Sequence, residues 1–84
     1  MILPTKHIRI AESLIGLSGF VLSTIKQPMP LEQIWEEYQK QYKSKKYPAY
    51  HSFDNLILTI DYLYMIDAID LNPHGQVFNK HRIQ

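Results

Sequence analysis

Residues 53–79 read FDNLILTIDYLYMIDAIDLNPHGQVFN. Phe53, Leu56, Ile57, Ile60, Leu63 and Tyr64 recur at the three- and four-residue spacing of a helix face. From Ala68 the period changes to two. Ala68-Ile69-Asp70-Leu71 alternates as a half-buried strand does, Asn72-Pro73-His74-Gly75 has the composition of a turn, and Gln76-Val77-Phe78-Asn79 returns. A helix over 52–66 that runs directly into a hairpin over 68–79 is the closing half of a winged helix. Ser52 stands where an N-cap is needed, and Asp54 favours the positive end of the helix.

In a winged-helix transcription factor this third helix reads DNA. Here its polar positions are Asp54, Asn55, Thr59 and Asp61, and from Ser52 to Gly75 the only formal charges are Asp54, Asp61, Asp67 and Asp70. Such a surface repels a phosphate backbone. The architecture points to DNA and the charges point away from it, so this helix reads as a face for protein.

Working back from Ser52, Lys43-Ser44-Lys45-Lys46-Tyr47-Pro48-Ala49-Tyr50-His51 has no period and reads as a loop. A second helix is expected over 30–41, with Pro30 as its first residue, Leu31, Ile34, Trp35 and Tyr38 inside, and Glu36 paired to Lys40. Gln27-Pro28-Met29-Pro30 reads as a stop followed by a start. The first helix is expected over 10–26; Leu14, Leu17, Val21 and Ile25 share one face while Ile15, Phe20 and Leu22 fill others. A helix apolar nearly all round is central or shared with another chain. Gly16 and Gly19 each cost about 1 kcal/mol of helix propensity against alanine, which makes sense where another backbone approaches closely. Residues 1–9 read as a short strand or arm, limited by Pro4, and 80–84 as a frayed tail.

The fold class expected is mainly α with a small β-hairpin, a winged-helix-like single domain over 1–84. At 84 residues the core is small, and stability without a partner is marginal. The absence of cysteine rules out a disulfide framework and a thiolate metal site and is compatible with a reducing cytoplasm. The start lacks the n-region and apolar run of a signal peptide, and Leu14 to Ile25 falls short of the ~20 residues that span a bilayer. No membrane role is expected.

Nothing in the sequence assembles a catalytic site. His7, His51, His74 and His81 are scattered and read as surface or loop residues, Glu36 and Glu37 are adjacent and so diverge on a helix, and Gly16, Gly19 and Gly75 form no phosphate loop. No catalytic residue, metal, cofactor or small-molecule substrate is expected. The segment with most character is Tyr42 to His51, where lysines interleave with tyrosines. Lys43, Lys45, Lys46 and Tyr47 can meet phosphates and bases, or an acidic protein surface; the plain alternative is a solvated loop whose tyrosines cap the core. Trp35 and Tyr64 read as core as readily as interface. Tyr62 lies beside Thr59 and Asp61, opposite Ile60 and Leu63, and should present its ring outward as a partner contact.

Met1-Ile2-Leu3-Pro4-Thr5-Lys6-His7-Ile8, Glu12-Ser13-Leu14-Ile15-Gly16-Leu17, Leu31-Glu32-Gln33-Ile34-Trp35 and Tyr50-His51-Ser52-Phe53-Asp54-Asn55-Leu56 together resemble a small bacterial family, the middle components of ABC-three-component systems of the type called middle component six. The resemblance implies a non-enzymatic subunit in a Lamassu-like defence system, encoded between an effector, often a nuclease, and an ATPase of the structural-maintenance-of-chromosomes or Rad50 type. It implies partners rather than a catalytic residue, with DNA met mainly through the complex. The expected contacts are Leu14, Gly16, Gly19 and Phe20 on the first helix and Tyr62 on the third. The competing reading is a winged-helix DNA-binding protein or transcriptional regulator that touches phosphates through the basic loop, aided by Lys80 or Arg82.

Overall fold

The computed structural model describes residues 13–81. Among them three helices precede a two-stranded antiparallel sheet: α1 Leu14–Thr24, α2 Leu31–Lys43, α3 Phe53–Met65, β1 Ile69–Leu71 and β2 Val77–Asn79. The expected mainly helical domain with a small hairpin is what the chain forms, and the element order is compatible with a winged-helix-like fold. The arm over 1–9 and the first residues of the expected opening helix lie outside the described residues.

Local chemistry sets the helix bounds and moves several of the expected ones. Ser13 is extended (φ −80, ψ 159) and its hydroxyl accepts the Gly16 N–H at 3.0 Å, so α1 starts at Leu14. It ends at Thr24, not 26, where the Lys26 N–H folds back to the Thr24 carbonyl at 2.8 Å. Pro30 stands before α2 with ψ 157, and that helix continues to Lys43, which therefore belongs to its last turn and not to the loop. Ser52 caps α3 by accepting the Asn55 N–H at 3.2 Å, so the helix proper spans 53–65 inside the expected 52–66.

Both α2 and α3 stop through the same device. Past Ser44, the N–H of Lys45 reaches Tyr42 and that of Lys46 reaches Gln41; past Ile66, the N–H of Asp67 reaches Tyr64 and that of Ala68 reaches Leu63. These paired backward bonds satisfy the last carbonyls and require a left-handed residue, supplied by Lys45 (φ 62) and Asp67 (φ 66). Glycine would take that conformation without the Cβ penalty.

The core is built from one stripe per helix: Leu17, Val21 and Ile25 of α1 and the turn after it, Ile34 and Tyr38 of α2, and Leu56, Thr59 and Leu63 of α3. Met29, Ile69 and Val77 close it. α1 packs against both other helices, and α3 against β1. Thr59, expected on the wet face, is fully buried; its hydroxyl donates to the Asn55 carbonyl at 2.9 Å, which lets a threonine sit in the core without an orphaned polar atom.

The hairpin pairs Ile69 with Asn79, Asp70 with Phe78 and Leu71 with Val77. Its turn is organised by Asn72, whose Oδ1 accepts the N–H groups of His74 and Gln76 at 2.9 Å each, and by Gly75 at φ 76. Met29 adds a one-residue bridge on the far side of β2, donating to Val77 at 3.0 Å and accepting from it at 2.8 Å. The segment from Pro28 to Pro30 is thus more than a stop and a start: with no N–H on either proline, Met29 carries its one donor.

Beyond the hairpin the expected frayed tail is tied down as far as it is described. The Lys80 N–H donates to the Ala68 carbonyl at 3.1 Å, its ammonium pairs with Asp67, and His81 Nε2 lies 3.0 Å from the Asp67 carbonyl oxygen. On α2, Lys40 pairs with Glu37 at 3.4 Å and not with Glu36, one helical turn being spanned from three residues back.

Candidate interaction surfaces

The outward face of α3 is apolar. Leu58, Asp61, Tyr62 and Met65 follow the i, i+3, i+4, i+7 pattern on the side opposite Leu56, Thr59 and Leu63. Leu58 is 54%, Tyr62 45% and Met65 80% exposed, and Ile66 at the helix end extends the strip. Tyr62 does present itself to solvent. Leu58 and Met65 were hidden from sequence reading because the stripe through Leu56 and Leu63 had already been found; testing the second face for the same period exposes them. Among the described residues no cation is within ion-pair distance of Asp54 or Asp61 on this helix.

Beside that face, α3 and the hairpin enclose a groove of about 250 Å³ lined by Ile60, Asp61, Tyr64, Ile69, Asp70, Leu71 and Val77. Ile69 and Val77 are buried beneath it, while Tyr64 and Leu71 stand exposed in its walls, so Tyr64 is surface rather than core. Just past the end of α3, the Lys80 ammonium beside Asp67 holds that carboxyl below its ordinary range, and the pairing raises the lysine in turn.

The α2–α3 connection forms a second surface of opposite character. Trp35, Tyr38 and Tyr42 stack along α2, with ring centroids 5.4 and 6.1 Å apart and planes within 23° and 21° of parallel. The buried Tyr38 hydroxyl donates to the Ala49 carbonyl at 2.8 Å and accepts the His51 N–H at 2.5 Å, so one side chain fixes the loop. His51, expected in the loop surface, is buried there, its Nδ1 lying 3.2 Å from the Asn55 side-chain nitrogen. Tyr47 packs edge-on to Tyr38 and Phe20, and burial pushes its phenol up to about 12, helped by Tyr38. Outside these rings Tyr42, Lys43, Lys45, Tyr47 and Pro48 line an open groove of about 410 Å³, with Lys46 exposed nearby in sequence but outside the lining.

The first-helix contacts expected together are separated by the structure. Leu14 and Gly19 are exposed and Gly16 is half-buried, but Phe20 turns inward onto Tyr38 and Tyr47 at ring distances of 6.0 and 5.5 Å. A Cβ on Gly19 would meet nothing within 4 Å, so no backbone among the described residues approaches there. The outward face of α1 is instead Ile15, Gly19 and Ser23, at four-residue intervals.

Among the described residues no group of three His, Cys, Asp or Glu side chains is arranged to hold a metal ion, and no helix is long and apolar enough to cross a membrane. What the arrangement offers chemically is two exposed surfaces of unlike character, one acidic and apolar, one cationic and aromatic. No curated protein and no solved structure matches the chain significantly. The family described as ABC-three component (ABC-3C) system Middle Component 6 matches residues 3–79. That span takes in all three helices, the hairpin and both surfaces, and the chain belongs to this family, the middle components numbered six of ABC-three-component systems.

Proposed function

We propose that this chain is a non-catalytic interaction subunit of a bacterial anti-phage or anti-plasmid defence complex, bridging an SMC- or Rad50-like ATPase and an effector such as a nuclease in the cytoplasm. Membership of a middle-component family supports partnering within a multi-component system. The observation that carries the reading is the outward strip of α3: Leu58, Tyr62 and Met65 are left in water by a helix whose opposite face has already closed the core. Burial of such side chains is worth about 25 cal/mol per Å², so a partner surface gains what the monomer leaves exposed.

Co-expression with the products of the two adjacent genes, followed by size-exclusion chromatography, tests this. The wild-type chain should co-elute with both, and a Leu58→Glu, Met65→Glu variant that retains its far-UV circular dichroism should not. A lone monomer that ignores both neighbours sinks the proposal.

A second reading has one observation in its favour: Lys43, Lys45, Tyr42 and Tyr47 line one groove, bringing together the cations and rings that phosphates and bases call for. It makes the chain a DNA-binding winged helix working through its loop. Duplex affinity that weakens steeply with salt would support it. Affinity unchanged by Lys45→Glu and Lys46→Glu would refute it.

A further inference from the structure

We propose that the groove between α3 and β1 receives an extended cationic segment of a protein partner, with one large apolar side chain set between Tyr64 and Leu71 and lysine or arginine reaching Asp61 and Asp70. The proposal rests on the interaction-subunit reading and names the chemistry of what is bound.

The first support is size and lining. At about 250 Å³ the groove lies below the ~300–1,000 Å³ of drug-sized ligand sites, and suits one or two side chains. Its floor of Ile60, Ile69 and Val77 offers no polar side chain, while Tyr64 and Leu71 are 57% and 56% exposed in its walls. A seated apolar side chain would cover both.

The second is charge. Asp61 on α3 and Asp70 on β1 flank this apolar floor from its two sides. Lys80, which does not line the groove, is engaged by Asp67. With Lys80 taken up by Asp67, neither Asp61 nor Asp70 has a cation within ion-pair distance among the described residues, so the complementary occupant is cationic.

The third is the edge of the sheet. β2 is bonded on both sides, to β1 and to Met29, whereas among the described residues β1 is paired on one side only. Leu71 is opposite Val77, whose own N–H and C=O both go to Met29, so the Leu71 N–H points away from β2; it is taken by the Asp70 carboxylate at 2.8 Å. An extended segment laid along β1 can take this N–H and release the Asp70 carboxylate to its own lysine or arginine.

The test is a titration of the isotope-labelled full chain with a synthetic five-residue peptide, Arg-Phe-Arg-Val-Lys, capped at both ends, read by amide chemical shifts. Shifts should centre on Asp61, Tyr64 and Leu71, and affinity should drop about tenfold, or about 1.4 kcal/mol, for the Asp61→Asn, Asp70→Asn double variant. Replacing the peptide's phenylalanine by alanine should weaken binding similarly, and the Glu-for-Arg and Glu-for-Lys peptide should not bind. Equal binding of the acidic peptide, shifts that centre elsewhere, or affinity indifferent to the double variant would each overturn the proposal. So would calcium ion alone giving the same shifts, a Leu71-dependent dimer of the chain filling the groove, or nuclear Overhauser contacts from residues 1–12 to Tyr64. In the co-expression experiment, a double variant that still joins the complex with wild-type stoichiometry overturns the groove and leaves the subunit reading standing. A wild-type chain that joins no complex overturns the subunit reading itself.

Discussion

Met29 and Val77 exchange both of their main-chain hydrogen bonds, at 3.0 and 2.8 Å, across the whole span of the second and third helices. This one bridge fastens the hairpin to the α1–α2 connection. Met29 is also buried, so Met29→Ala should cost about 2 to 3 kcal/mol by cavity formation. Urea denaturation checks the magnitude, and hydrogen exchange checks the location: the Val77 amide should lose more protection than the amide of Leu56 in the helical core.

Tyr38 satisfies two loop groups with one hydroxyl. Tyr38→Phe leaves the Ala49 carbonyl and the His51 N–H buried without that partner, for which about 2 to 3 kcal/mol is the expected loss. Because Trp35 stacks on the same ring, indole fluorescence should follow unfolding in both proteins. A variant as stable as the parent would show that the loop holds itself.

Alkaline stability has a definite sign. Burial raises Tyr38 and pushes Tyr47 up to about 12, while an unfolded tyrosine ionises near 10. Below pH ~10 both states keep their phenolic protons and these groups add no pH dependence; as pH rises from there toward 12 the unfolded chain releases protons that the folded chain retains, and stability falls. The urea midpoint should therefore decline over that interval, and Tyr47→Phe should make the decline shallower. Equal slopes for the two proteins would count against the assignment.

Lys45 occupies the left-handed position that ends α2, at φ 62, with its side chain exposed. Lys45→Gly should stabilise the fold by about 0.5 to 1 kcal/mol, the relief of the Cβ penalty outweighing the extra freedom of unfolded glycine. Thermal unfolding measures it. If the same variant loses affinity for whatever the basic groove contacts, the strain at this residue is tied to its charge.

The architecture was legible where periodicity speaks without competition. The stripe of Leu56, Ile60 and Leu63, the alternation at Ile69 and Leu71, and the turn at Asn72 to Gly75 each have one reading, and the structure forms them. Thr59 was misplaced because a hydroxyl is polar in composition but can return its hydrogen bond to the helix backbone four residues earlier, as it does to Asn55. The bridge at Met29 carries no sequence signal at all, being one residue long between two prolines. Lys80 was assigned to a frayed tail because its partner, Asp67, is thirteen residues distant and no local pattern joins them.

The surfaces were legible in part for the same kind of reason. Tyr62 stood out as an aromatic ring beside Thr59 and Asp61, whereas Leu58 and Met65 lie on the same side, which Asp54 and Asp61 make polar in composition. Phe20 was indistinguishable from an exposed ring until Tyr38 and Tyr47, far along the chain, were seen to receive it. Tertiary partners of this sort decide burial, and sequence spacing within one helix does not contain them.

The fastening of Lys80 and His81 to Asp67 has a mechanical meaning. Tension applied to the chain beyond His81 is met first by the contacts to the Ala68 and Asp67 carbonyls and the Lys80–Asp67 ion pair, before the strand bonds of the hairpin. Ala68 stands opposite Lys80 as the next rung beyond the Ile69–Asn79 pair, so such a pull opens the hairpin ladder from this end, with Asp67, just past the end of α3, as its anchor. The clasp on Asp67 thus holds the last rung of the hairpin against the end of the helix.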